Sequence, residues 1–152
     1  MKLAEALILR ADYQKRVQQL NHRLQQNVKV QEDEEPAEDP NLLLEELDRI
    51  MEKLTNIIKS INKTNNTIKL DEARTLSDAL VERDMLWSRR MALSSLSEQA
   101  SIKQDRFSRS EIKYISTIEV TEIQKQIDLL SKRHRELDTQ IQGKNWTIDL
   151  LT

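Results

Sequence analysis

The side chains best suited to chemistry lie in one stretch, Asp105-Arg-Phe-Ser-Arg-Ser-Glu-Ile-Lys-Tyr-Ile-Ser-Thr117, where Arg106, Arg109 and Lys113 alternate with Phe107 and Tyr114. Guanidinium and ammonium groups hold phosphate or carboxylate oxygens, and aromatic rings stack on bases, so the mixture suits an anion or a single nucleic-acid strand. Asp105 and Glu111 dilute the positive charge, and no nucleic-acid-binding fold accompanies the stretch, so nucleic acid is not the expected partner. The run from Glu111 to Ile118 has the β-branched and aromatic residues of a short strand, although a loop fits it as well. The rest of the chain offers such a strand no neighbour, which makes pairing with its own copy across a two-fold axis the preferred reading. The candidate interaction residues are therefore Asp105, Arg106, Phe107, Ser108, Arg109, Glu111, Lys113 and Tyr114.

Reaction chemistry is harder to find. Nucleophile elbows, phosphate loops and dinucleotide fingerprints all need glycines, and the chain has one. It has no cysteine, which removes disulfides, thiolate metal sites and cysteine nucleophiles together. A di-metal carboxylate bundle would need Glu-x-x-His on two helices. Here Gln19 precedes His22 and Ser131 precedes His134, so neither histidine has the motif. His134, with Asp138 one turn on, reads as a polar residue that sets helix register. The acids Glu32, Asp33, Glu34, Glu35, Glu38 and Asp39 lack the glycine turn of a calcium loop and read as a solvated linker. No catalytic residue, metal or cofactor is expected, and the protein reads as a non-enzyme.

The elements that must position the central stretch are helices. One glycine and two prolines leave little material for the tight turns of a sheet-rich fold, and 33% of residues are charged. Helix 1 is expected over 2–27, with Leu3, Leu7, Tyr13, Val17, Leu20 and Leu24 on one face. Leu3, Ala4, Ala6, Leu7, Ile8 and Leu9 are apolar on more than one side, so either another subunit or more of the same chain covers the first turns. After the acidic linker 28–39, Asp39 and Pro40 form a helix start.

Helix 2, over 40–68, carries Leu43, Leu47, Ile50, Leu54, Ile57, Ile61 and Ile68 on alternating steps of four and three, with Thr64 the one polar member. Thr75-Leu-Ser-Asp78 resembles a capping box opening helix 3 over 76–100. Leu76, Ala79, Leu80, Leu86, Leu93, Leu96 and Ala100 give helix 3 an apolar face, widened by Trp87 and Met91. Arg83 and Arg90 interrupt it; pairing with carboxylates and snorkelling both fit, and snorkelling is the expectation. Helix 4, over 118–142, carries Val120, Ile123, Ile127, Leu130, His134, Leu137 and Ile141, and Gly143 is expected to weaken or end it. Lys144 to Thr152 would then be a final turn or a docked tail.

Helices of about 25 residues span roughly 37 Å each, and such matched lengths suit an all-α, antiparallel four-helix bundle with coiled-coil-like seams, formed as a single domain over 1–152. The formal net charge of −2 draws the chain toward neither nucleic acid nor an anionic membrane. No apolar run approaches the roughly 20 residues of a membrane-spanning helix, and the first ten residues lack the apolar core of a signal peptide. A cytoplasmic protein is expected. The surplus apolar residues Ile8 and Leu9, the run Glu111 to Ile118 and the tail Trp146 to Leu151 together suggest a homo-oligomer.

Several motifs also carry a family resemblance. Met1-Lys-Leu-Ala-Glu-Ala-Leu7, Arg10-Ala-Asp-Tyr-Gln-Lys-Arg16, Val28-Lys-Val-Gln-Glu32, Glu35-Pro-Ala-Glu-Asp-Pro40, Asp105-Arg-Phe-Ser-Arg-Ser-Glu-Ile-Lys-Tyr114, Arg135-Glu-Leu-Asp138 and Asn145-Trp-Thr147 together resemble small bacterial proteins labelled septicolysin. The resemblance covers nearly the whole chain. It implies an all-helical bacterial protein of unestablished activity, and its label implies a cytolysin; it supplies no catalytic residues. The functional expectation is a self-assembling or partner-binding helical protein that presents 105–117. A membrane-active cytolysin, a metal-dependent bundle enzyme and a nucleic-acid-binding protein are the alternatives.

Overall fold

The described residues form four helices, α1 (Leu3–Asn27), α2 (Pro40–Thr67), α3 (Leu76–Ala100) and α4 (Val120–Thr147). The computed structural model describes residues 1–101 and 112–152. α1 packs on α2 and α3 on α4, as an all-α fold requires, and no sheet occurs among the described residues. The starts follow from capping chemistry. Asp39 accepts a hydrogen bond from the Asn41 N–H at 2.9 Å, and Pro40 occupies the first turn, where its missing N–H costs nothing. Thr75 and Asp78 cap each other reciprocally, Asp78 N–H to Thr75 Oγ1 at 3.1 Å and Thr75 N–H to Asp78 Oδ2 at 2.9 Å. The Thr75 N–H, with the Thr75 hydroxyl, holds the Asp78 carboxyl below its ordinary range.

Two compact units form, the first from residues 1–69 and 142–152, the second from residues 70–141. In the first, α1 and α2 run antiparallel around a cluster of Leu20, Leu24, Leu43 and Ile50, flanked by Tyr13, Val17 and Leu47. These are the expected seam positions on both helices. Arg16 pairs with Glu46 at 3.1 Å, and the Arg23 guanidinium takes both oxygens of Glu38, so charges on the rim match the same register. Asn27, buried at the end of α1, donates to the Arg23 carbonyl at 2.8 Å and accepts the Glu38 N–H at 2.9 Å. The linker is thereby tied at both ends while Glu32, Asp33, Glu34 and Glu35 stay exposed. A turn closed by Glu34 N–H to the Gln31 carbonyl at 3.1 Å places Asp33 at φ 67°, a conformation that aspartate tolerates better than most side chains.

The end of the chain departs from expectation. α4 does not stop at Gly143 but continues to Thr147. A mid-helix glycine costs about 1 kcal/mol relative to alanine, and here Ile141 and Asn145, both buried, anchor the helix on either side of it. The tail beyond is docked on its own chain. Leu3 N–H donates to the Ile148 carbonyl at 3.1 Å, Leu150 N–H donates to the Met1 carbonyl at 2.9 Å, and Lys2 pairs with Asp149 at 2.9 Å. Thr64, fully buried, donates to the Ser60 carbonyl and accepts the Leu151 N–H at 2.9 Å. The one polar member of the α2 seam thus serves as the tail's anchor. Leu3, Ala4 and Ala6 are buried within the chain and only Ile8 of the first turns is strongly exposed, so most of the apolar surplus of α1 needs no neighbouring subunit.

In the second unit, a turn at residues 70–74 precedes α3. Asp71 accepts the Ala73 and Arg74 N–H groups and the Arg74 guanidinium. Arg74, reaching on to Glu82 at 2.6 Å, holds the Asp71 carboxyl below its ordinary range, and its own pKa is raised by the two acids. α3 and α4 share an apolar cluster of Ala79, Leu137 and Ile141, packed by Leu70, Leu80 and Leu86. Leu96, expected in the α3 core face, is exposed.

Candidate interaction site

Of the residues proposed from sequence, Asp105, Arg106, Phe107, Ser108, Arg109 and Glu111 lie outside the described residues. Lys113 and Tyr114 are described and exposed, on irregular backbone that leads into α4. Ile112, Tyr114 and Ile115 are 73%, 86% and 84% exposed. The strand expected over 111–118 is not formed at residues 112–118. Ser116 explains the break locally: its hydroxyl donates to the Ile118 carbonyl at 2.7 Å and accepts the Ile118 N–H, curling the backbone toward the first turn of α4.

The helices on either side of this segment meet through a polar ladder. Arg83 Nη1 donates to Asp138 at 2.9 Å, the Trp87 and His134 rings lie 5.0 Å apart and tilted at 49°, and Arg90 Nε donates to the Ser131 hydroxyl at 2.7 Å. The Arg90 guanidinium also lies over the Trp87 ring, 4.7 Å from its centre, in a cation–π contact. Both arginines that interrupt the α3 stripe therefore find partners across the helix pair, and snorkelling does not describe them. The missed signal is an interval match: Arg83, Trp87 and Arg90 step by four and three along α3, and Asp138, His134 and Ser131 step back by four and three along α4. Antiparallel helices bring such sets face to face.

A cleft of about 400 Å³ opens on one flank of the ladder, lined by Arg83, Asp84, Trp87, Ser88, His134 and Asp138. Its serine, histidine and aspartate are the residue types of a nucleophilic relay, but Arg83 engages both Asp84 and Asp138, and His134 packs on the Trp87 ring. The arrangement fixes helix register and leaves an aromatic edge, Trp87, open to a ligand or partner. Among the described residues no group of three or more histidines, cysteines and acids is placed to hold a metal ion.

The sequence matches the model of a family of unknown function, DUF6847, over residues 10–150. The chain belongs to DUF6847. It is similar to a crystal structure described as a functionally unknown conserved protein from Corynebacterium diphtheriae, at 43% identity over 99% of this chain and 98% of that one, with a TM-score of 0.93. No curated protein matches it. Of the resemblance drawn from the sequence motifs, membership of a family of unknown function is what these matches support; neither description speaks of septicolysin or lysis. No described helix is long and apolar enough to cross a membrane.

Proposed function

We propose that this DUF6847 protein acts by contact and not by catalysis, presenting the segment 105–117 to a second copy of itself. The observation that supports this reading is the exposure of Ile112, Tyr114 and Ile115 within four residues. Burying a large apolar side chain stabilises by roughly 1.5–3 kcal/mol, so three such groups left in water together favour an interface.

Light scattering on the full chain tests the proposal. The wild type is expected to give the mass of a dimer or a larger closed assembly. Ile115→Pro, which removes a backbone donor at an exposed position, is expected to give a monomer of unchanged helix content. A monomeric wild type, or an oligomer unaffected by the substitution, contradicts it. The lytic activity implied by the septicolysin resemblance is separable, since leakage from anionic or sterol-containing vesicles would support lysis and not self-pairing.

A further inference from the structure

We infer that the second flank of the α3–α4 pair, opposite the Trp87 cleft, binds a singly charged carboxylate carried on an apolar stem. The polar ladder fixes the register of the two helices, and Arg89 of α3 and Arg133 of α4 both line one groove of about 530 Å³, a volume suited to a small molecule. Both guanidinium groups are exposed, and neither has an ion-pair partner among the described residues. Two like charges lining one groove repel, and a carboxylate lodged between them would turn that repulsion into charge-assisted hydrogen-bonding contacts.

The rest of the groove sets the ligand's class. Its middle is apolar, from Leu86, Leu137 and the exposed Met85, and Gln140 offers an amide toward the other end. Arg74 is already occupied by Asp71 and Glu82. Glu82 and Glu136 also line the groove, and with the ion-pair partners Asp71 and Lys132 counted, four cations against three carboxylates leave one net positive charge. That balance favours a monoanion over a phosphate dianion, and the apolar floor favours a hydrocarbon body over a bare ion. The segment 112–118 forms no part of the groove, so this site stands or falls independently of self-pairing.

Calorimetric titration of the full chain with octanoate below its micellar concentration, at low ionic strength, tests the site. One octanoate is expected per chain, with acetate (head only) and octanol (stem only) each weaker by about tenfold or more. Arg89→Gln with Arg133→Gln should lose about tenfold in octanoate affinity, whereas Asp84→Asn in the opposite cleft should keep it. Arg133→Gln alone, should the double variant not fold, must show the same direction of loss. Absence of saturable octanoate binding at millimolar concentration, octanol binding as tightly as octanoate, or wild-type affinity in the arginine variants would each overturn the site.

Discussion

The two antiparallel helix pairs solve the same packing problem with different chemistry. Between α1 and α2 the seam is apolar, Leu20, Leu24, Leu43 and Ile50, with ion pairs only at its rim. Between α3 and α4 a small apolar cluster at one end gives way to a ladder of Arg83 with Asp138, Trp87 with His134 and Arg90 with Ser131. Burial of a leucine is worth roughly 1.5–3 kcal/mol, whereas a partly exposed ion pair is worth about 0–1 kcal/mol. The first seam therefore supplies stability. The second supplies register, and leaves Trp87, Met85 and Met91 partly in water, where something else can use them.

The largest expected effect breaks the first seam. Leu20 is only 1% exposed at the centre of its cluster, so Leu20→Ala should cost about 2–5 kcal/mol, read as a lower urea midpoint. A loss under about 1 kcal/mol would mean that the apolar seam does not carry the stability assigned to it. A smaller effect sharpens the account of the second seam. A double-mutant cycle on Arg83→Ala and Asp138→Ala should give a coupling of about 0.5–1 kcal/mol, reduced by salt, because the two side chains keep 23% and 38% of their exposure. Zero coupling at low salt would show that the ladder is incidental to packing.

Acid should act weakly on both pairs. Arg23 lowers Glu38 and Lys2 lowers Asp149 in the first unit, while Arg74 lowers Asp71 and the Thr75 N–H lowers Asp78 in the second. A carboxyl depressed in the folded state adds stability above its unfolded pKa of about 4, and that contribution is lost as pH falls through the folded value. Thermal midpoints should thus hold from neutral pH down to about pH 5 and decline below about pH 4. High salt should shrink the part due to the three ion-paired acids and spare the part due to Asp78, which is held by neutral donors. A midpoint that rises on acidification would contradict the assignment.

How far the sequence could be read follows the same division. Periodicity announces an apolar seam because every member is hydrophobic and the spacing repeats, so α2 and its partners Val17, Leu20 and Leu24 were legible one helix at a time. Caps were legible too, since Asp39-Pro40 and Thr75 with Asp78 are local chemistry. The ladder was not, because Arg83 and Asp138 each look like surface charges until both helices are set antiparallel. Gly143 misled for a related reason. Its local cost is real, but burial of Ile141 and Asn145 outweighs it. Thr64 was visible as the odd residue of its seam, while its partner, the Leu151 N–H, depends on where the tail docks.

Amide hydrogen exchange, followed by mass spectrometry over a range of protein concentrations, tests most directly the claim that 112–118 is a contact surface of this protein. Protection of peptides covering Ile112 to Ile118 is expected to rise with concentration, while peptides from the α1–α2 seam keep the same slow exchange throughout. Fast, concentration-independent exchange at 112–118, with the seam protected as expected, would contradict self-pairing through that segment.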